Sequence, residues 1–180
     1  KLNPKGANLV AIYLLVGISI PAQMFLLPLF LLWKNLGLLN THIGLIIIYS
    51  ALNAPFATFL IRSYMIRLPD ELFDAAKIDG ANILQQFFRV AIPLSWPVLL
   101  TSALVVGLAV WNEFLFALTF VQDEELKPIS TILFAFSWRF INNQALVSAA
   151  SIMMVAPVVI LFLLFQKRFI SGLTSGGVKG

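Results

Sequence analysis

Glu113 is an ionisable side chain near the end of a long apolar segment, where a charge is costly and therefore marks a functional candidate. Asn112 precedes it, and Gln23 and Asn53 lie within other apolar segments. Polar groups of this kind can line a path for a solute or an ion, so we take these four side chains as candidates for a translocation pathway. For Gln23 and Asn53, hydrogen bonding between helices is the favoured interpretation, worth under about 1 kcal/mol.

Aromatic side chains offer a second kind of chemistry, because a sugar ring can stack on them. The candidates in the third apolar segment are Trp111, Phe114 and Phe116. Aromatic side chains in membrane spans more often face lipid or the protein interior, and Trp33 and Trp138 have the positions of membrane-interface residues. We predict no metal site and no catalytic residue, since His42 is isolated and the chain has no cysteine.

The composition determines which elements hold these residues. The chain has 180 residues, of which 60% are hydrophobic and 11% are charged, with a mean hydropathy of +0.94. A soluble domain carries about 25% charged residues, so we predict an all-α, polytopic transmembrane helical bundle. A span needs about 20 apolar residues. The predicted spans are at about 9–32, 43–61, 94–120 and 145–165, within a single domain that covers residues 1–180.

Lysine and arginine predict the orientation of these spans. Most of the basic residues lie near the two ends of the chain and in the segment 62–89. By the positive-inside rule both termini and this segment are cytoplasmic, in a multi-pass protein of the cytoplasmic membrane with lipid around it. The net charge of +4 reflects this bias, and without a basic stripe it does not indicate nucleic-acid binding.

The cytoplasmic loop at 68–93 has its own helical pattern. Pro69 followed by acidic residues is typical of a helix start. The Asp79-Gly80 step predicts a bend, and Asn82 with Gln85 resembles a capping box. The loop is therefore predicted to be a helix–turn–helix with small residues at its bend. From this pattern alone, an amphipathic helix resting on lipid is about equally good.

The run Asp74-Ala75-Ala76-Lys77-Ile78-Asp79-Gly80-Ala81, continued by Phe88, Ile92, Pro93 and Pro97, resembles the EAA signature of binding-protein-dependent ABC importer permeases. The chain has Asp74 where that family most often has glutamate. Three other stretches are similar to its carbohydrate-uptake, maltose-permease-like branch: Leu36 to Thr41, Trp111 to Phe114, and the tail from Phe165 to Gly180. Members of that branch usually have six spans in this subunit, so the resemblance implies four spans present of six and a chain truncated at its N-terminus.

The resemblance also implies a mechanism. In that family the loop helix docks on a cytoplasmic ABC ATPase dimer, and closure of the dimer rocks the spans between inward-open and outward-open states. The residues implied to form the docking surface are Asp74, Ala75, Ala76, Asp79, Gly80 and Ala81. The tail (166–180) has no helical pattern from Ser171 onward, and the resemblance implies that Gly176, Gly177 and Lys179 contact the ATPase. The other implied partners are a second permease subunit and an extracytoplasmic solute-binding protein.

The chain lacks a G-x-x-x-x-G-K-[ST] phosphate loop, so we expect a transport subunit without enzymatic activity or cofactor, moving a sugar or oligosaccharide. Three alternatives stay open. The first is an ABC permease for another solute, for instance a glycerol phosphate. The second is a secondary transporter driven by an ion gradient, with Glu113 in the relay. The third is a membrane scaffold whose loop binds another partner.

Overall fold

The computed structural model describes the backbone of residues 6–141 and 143–177, and the side chains of 6–141 and 143–166. These residues form helices and no strand, which confirms the all-α prediction. The helices, in chain order, are α1 (Ala7–Ser19), α2 (Leu26–Leu36), α3 (His42–Met65), α4 (Asp70–Ile78), α5 (Ile83–Gln86), α6 (Ile92–Leu94), α7 (Trp96–Trp111), α8 (Leu115–Phe120), α9 (Ile129–Arg139) and α10 (Gln144–Gly177).

Proline interrupts the first predicted span. Within the segment 9–32, which is predicted as one span, α1 ends at Ser19, and Pro21 precedes a 3₁₀ turn at Ala22–Phe25. The pyrrolidine ring removes a backbone donor and clashes with the carbonyl four residues back, which accounts for this end. Pro55 and Pro157, in contrast, lie inside the long helices α3 and α10 without ending them.

The third predicted span is also divided. The segment 94–120 contains α7 and α8, and Asn112, Glu113 and Phe114 lie in the break between them. A π-helical turn at Phe87–Ala91 joins α5 to α6. Such turns are rare and change the direction of side chains along a helix. Helical character before the third span therefore begins well upstream of residue 94.

The tail differs from its prediction. A tail without helical pattern was predicted from Ser171, whereas α10 continues through Gly177. Extending an existing helix costs far less than nucleating a new one, so the apolar segment before the tail can carry the helix into the glycine-rich end. Gly176 and Gly177 are the last helical residues, and Lys179 lies outside the described residues.

Helix length and composition agree with a membrane protein. Within the described residues, α3 and the Gln144–Gln166 part of α10 are long and apolar enough to cross a bilayer. The number rises to four if each of two bent helix pairs, Ala7–Ser19 with Ala22–Leu36 and Ile83–Leu94 with Trp96–Trp111, forms one span. The chain is therefore a multi-pass membrane protein, and the boundaries of its predicted spans stay predictions.

The helices divide into two compact units. One unit includes Pro55–Val105, which contains the loop helices α4 and α5. The other includes Ile20–Ala54 and Val106–Phe165. The second unit has a buried cluster formed by Trp33, Leu45, Ile48, Phe116, Phe120 and Val121. The Trp33 ring meets Phe120 edge-on, with ring centroids 6.2 Å apart. Trp33 is therefore packed inside its unit and not exposed on its surface, and its depth in the membrane stays a prediction.

Gly44 permits the tightest contact in this unit. A β-carbon at Gly44 would collide with the carbonyl oxygen of Leu38 and lie 2.9 Å from Nε1 of Trp33. Nε1 of Trp33 donates a hydrogen bond to the Gly44 carbonyl, at 3.2 Å. Only glycine allows the turn before α3 and the tryptophan to approach this helix together.

We expect Gly44→Ala to lower the free energy of unfolding by about 1–3 kcal/mol, because a backbone oxygen cannot move aside as a flexible side chain can. Thermal unfolding of the detergent-solubilised protein measures this loss. Gly107→Ala is the matched control, since a β-carbon there meets nothing within 4 Å. Equal melting temperatures for the two variants would show that the close approach at Gly44 carries no stability.

Candidate functional site

The first arm of the loop is α4, which begins directly after Pro69 and has Asp70 and Glu71 in its first turn, as predicted. Acidic side chains at this end interact favourably with the helix dipole. Phe73 is buried and anchors the helix within its unit.

Asp74 has a partner in its own helix. Nζ of Lys77 donates a hydrogen bond to Oδ1 of Asp74 over 2.8 Å. This hydrogen bond, together with the positive charge of Lys77, lowers the pKa of Asp74. The pair is thus ionised at neutral pH and weakens only in acid, as the carboxyl group protonates. Both side chains are exposed, so the pair contributes little to stability and can open to meet another surface.

The bend at the end of α4 is a Schellman motif. Gly80 has a φ of 76°, in the left-handed region. Its N–H donates to the carbonyl of Lys77 over 3.0 Å, and the N–H of Ala81 donates to the carbonyl of Ala76 over 2.9 Å. These two bonds satisfy carbonyls that a helix end leaves unpaired. Asp79 is the last residue before this turn, so the predicted interruption at Asp79-Gly80 is confirmed.

The second arm begins with the predicted capping box. The N–H of Gln85 donates to Oδ1 of Asn82 over 2.9 Å, and the N–H of Asn82 donates to Oε1 of Gln85 over 2.8 Å. Gln86 is buried and donates from Nε2 to the Ala81 carbonyl over 2.9 Å. Backbone groups on both sides of the bend are therefore paired, which holds the two arms at one angle.

The bend presents a mixed surface. Of the six residues predicted to dock, Asp74, Ala75, Asp79 and Gly80 are exposed, and the other two, Ala76 and Ala81, are half-buried. A cavity of about 680 Å³ lies beside them, lined by Phe73, Lys77, Ala81, Asn82, Ile83, Leu84 and Gln86.

Sequence reasoning missed the most prominent apolar group at this bend. Ile78 is 87% exposed, although it stands between Lys77 and Asp79 in a polar stretch. Its position within the quoted run from Asp74 to Ala81 was the available signal. Ile78 is open to a partner, although a single exposed apolar side chain does not by itself mark a contact.

The break between α7 and α8 is organised by Glu113. Its carboxylate accepts three hydrogen bonds: Oε2 from the Tyr49 hydroxyl at 2.9 Å and from the N–H of Ala117 at 3.0 Å, and Oε1 from the N–H of Phe116 at 2.9 Å. The Ser130 hydroxyl donates to the Glu113 carbonyl at 2.6 Å. Glu113 therefore caps α8 and connects it to α3 and α9.

Comparison with known proteins identifies the family. Residues 1–175 match the family described as "Binding-protein-dependent transport system inner membrane component". The chain belongs to this family. The resemblance of its loop motif to importer permeases is thereby confirmed.

Individual relatives are similar over nearly the whole chain. This chain shares 39% identity over 176 residues with the probable ABC transporter permease protein YurM of Bacillus subtilis, and the alignment covers 98% of the chain and 59% of the relative. It shares 40% over 176 residues with the arabinooligosaccharides transport system permease protein AraQ of Halalkalibacterium halodurans, covering 98% and 62%. It shares 38% over 186 residues with the trehalose/maltose transport system permease protein MalG of Thermococcus litoralis, covering 100% and 65%. The chain thus spans about three fifths of the length of these curated relatives.

The other polar candidates for the translocation pathway form local hydrogen bonds or are exposed. Asn53 donates from Nδ2 to the Tyr49 carbonyl at 2.8 Å, and Asn112 donates to the Leu108 carbonyl at 2.8 Å. The Asn53 bond lies within α3, and the Asn112 bond reaches back to α7, which ends one residue earlier. Within the described residues Asn53 therefore bonds inside its own helix and not between helices, where a bond was expected. Gln23 is exposed in its 3₁₀ turn. The structure therefore does not bring these three side chains to Glu113 through hydrogen bonds, and their pathway role stays a prediction.

Asn40 has a structural role that sequence reasoning missed. It has a φ of 55°. Its Oδ1 accepts hydrogen bonds from the N–H groups of Gln122 at 2.6 Å and Asp123 at 3.2 Å, and its own N–H donates to the Phe120 carbonyl at 3.0 Å. Asparagine tolerates this conformation better than most residues. The turn before α3 is thereby tied to the end of α8.

Metal chemistry finds no support in the part of the chain that the structure describes. No group of three or more histidine, cysteine, aspartate or glutamate side chains there is placed to hold a metal ion.

Proposed function

We propose that this chain is a permease subunit of an ATP-driven ABC importer that moves a sugar or oligosaccharide across the cytoplasmic membrane. The observation that carries the proposal is the bend between α4 and α5, whose residues match the docking signature of the family and whose surface is exposed. Several relatives are named for the transport of oligosaccharides, which supports the solute class.

The geometry of the bend supports a docking role. A helix pair that transmits motion from a partner must keep its shape. The Schellman motif and the capping box support this, because they pair the backbone groups on either side of Gly80. Open space surrounds Gly80, where a β-carbon would meet nothing within 4 Å. We assign the contact with the ATPase dimer to Asp74, Ala75, Ala76, Asp79, Gly80 and Ala81, with exposed Ile78 as an added apolar contact.

Further parts of the proposal concern the partner subunits, the orientation in the membrane and the tail. A second permease subunit shares the pathway, and an extracytoplasmic solute-binding protein delivers the solute. The positive-inside rule supports cytoplasmic termini and a cytoplasmic bend. Gly176, Gly177 and Lys179 of the tail are proposed as additional ATPase contacts.

The ion-driven alternative is weaker because Glu113 is already engaged. A carboxylate that accepts hydrogen bonds from Tyr49, Phe116 and Ala117 stabilises the local fold. These bonds hold α8 against α3, so the carboxylate already has a structural role. A relay role for Glu113 would thus oppose the structure around it.

The energy source is the decisive test. We expect the permease, reconstituted in vesicles with its ATPase, a second permease subunit and a solute-binding protein, to accumulate oligosaccharide only with ATP, and vanadate to stop uptake. An ionophore that collapses proton and sodium gradients should leave uptake unchanged. Uptake without ATP that the ionophore abolishes would instead support a secondary transporter, and uptake of glycerol phosphate alone would replace the solute class.

A further inference from the structure

A second cavity lies between α9 and α10, away from the coupling loop in the chain. Its volume is about 350 Å³, near the lower end of the range for small-ligand pockets. The described residues that line it are Phe134, Ser137, Trp138, Ile141, Gln144, Val147 and Ser148. None of these side chains carries a charge.

An exposed aromatic pair forms one wall of this cavity. Trp138 is 66% exposed and Phe134 is 46% exposed, and their ring centroids are 6.3 Å apart. Phe134 is held in turn by Phe114, whose ring centroid is 4.8 Å away. The negative face of an aromatic ring attracts the weakly positive C–H groups of a sugar ring, so this wall is suited to stacking.

Neutral polar groups lie beside the aromatic wall. The Ser137 hydroxyl donates to the Leu133 carbonyl at 2.8 Å, which leaves its lone pairs able to accept. The Gln144 amide and the Ser148 hydroxyl are on exposed residues and offer both donors and acceptors. This combination matches a neutral, polyhydroxylated ligand. A lipid phosphate would find no compensating charge on the lining side chains.

We propose that this cavity binds one ring of a neutral oligosaccharide, with Trp138 as the stacking surface and Gln144 and Ser148 as hydrogen-bonding partners. The inference rests on the proposed function, since the predicted orientation places the segment between the third and fourth spans on the outer side. It goes further than that function by assigning a solute contact to this subunit outside the candidates Gln23, Asn53, Asn112 and Glu113.

The test uses the absence of cysteine from the chain. Ile141→Cys introduces a thiol on an exposed lining residue to which the proposal assigns no hydrogen bond, and its rate of maleimide labelling is followed in the assembled complex in vesicles. We expect raffinose, maltotriose or an arabinotriose to slow labelling by more than about threefold, as occupancy of the site requires. Charged glycerol 3-phosphate should give no protection. Adding Trp138→Ala should abolish the protection by saccharide.

Two matched controls make the result specific. Gln122→Cys places a thiol on an exposed residue of the preceding loop that does not line the cavity, and its labelling should not respond to saccharide. Trp96→Ala removes another exposed tryptophan, 59% exposed, and should leave the protection of Ile141→Cys intact. Equal protection of both thiols, or protection that survives Trp138→Ala, would overturn the assignment.

Other outcomes separate this inference from the proposed function. A thiol at position 141 that is unreactive in the complex without saccharide would mean that lipid or another subunit covers the cavity, which overturns the site. ATP-driven uptake that persists without any protection would remove the site and leave the importer function standing. Failure of every saccharide to be taken up with ATP would remove the proposed function itself.

Discussion

Replacing Gly80 with leucine is expected to reduce ATP-driven uptake by at least about tenfold, since about 1.4 kcal/mol of lost coupling energy corresponds to that factor. Two physical effects add together. The φ of 76° at Gly80 is costly for a residue with a β-carbon, by roughly 1–2 kcal/mol. The isobutyl group also fills the open space through which a partner surface would approach.

The expected phenotype is uncoupling of hydrolysis from transport. The permease should still insert and be purified in normal amounts, and the ATPase activity of the complex should fall much less than uptake. Both rates are measured in the same vesicles, so that loss of assembly is separated from loss of coupling.

Gly37 supplies the matched control for backbone strain. It has a φ of 68° at the end of α2, and a β-carbon there would also meet nothing within 4 Å. Gly37→Leu therefore carries a similar conformational penalty at a different site. Wild-type uptake by Gly80→Leu would show that the docking assignment is wrong, and equal losses in both variants would attribute the effect to strain alone.

Glu113→Ala is expected to lower the free energy of unfolding by about 3–5 kcal/mol. The substitution leaves the Tyr49 hydroxyl and the N–H groups of Phe116 and Ala117 without their acceptor, and each unsatisfied buried donor costs roughly 1–3 kcal/mol. Thermal unfolding in detergent measures the loss. Glu113→Gln keeps the shape but replaces one acceptor oxygen by a donor, so we expect an intermediate result.

Two smaller variants test the same network. Tyr49→Phe removes one donor and should cost about 1 kcal/mol, and combined with Glu113→Ala it should add almost nothing. Asn112→Ala is the neighbouring control, because its exposed side chain donates back to the Leu108 carbonyl of α7 and takes no part in the bonds of the Glu113 carboxylate. If Glu113→Gln were as stable as wild type yet abolished uptake, a relay function would replace the structural one.

Local features were predictable because they depend on residues close in the chain. The bend at Gly80, the capping box of Asn82 and Gln85, and the helix start after Pro69 each involve partners within about one turn. Helix end chemistry is decided by such neighbours, so a single sequence contains the information. Apolar length likewise predicted an all-α membrane chain, since a bilayer core demands it.

Contacts between distant segments were not predictable in this way. Trp33 is of a residue type that is common at membrane interfaces, and the structure places it in a buried cluster against Phe120. That contact joins two segments far apart in the chain. Ile78 is 87% exposed at the end of α4, just before the left-handed turn at Gly80. Nothing in the sequence pattern distinguished this apolar side chain from a buried one.

The sequence by itself determined the membrane class, the helical elements and the hydrogen bonding at the bend around Gly80. The tertiary structure alone decided the role of Glu113, whose carboxylate meets a hydroxyl 64 residues away, and that of Asn40, which holds a loop 82 residues away. The physical reason is that helix capping acts between near neighbours, and insertion into a membrane depends on the apolar length of one segment. A hydrogen bond across that many residues exists only once packing has brought its two ends together.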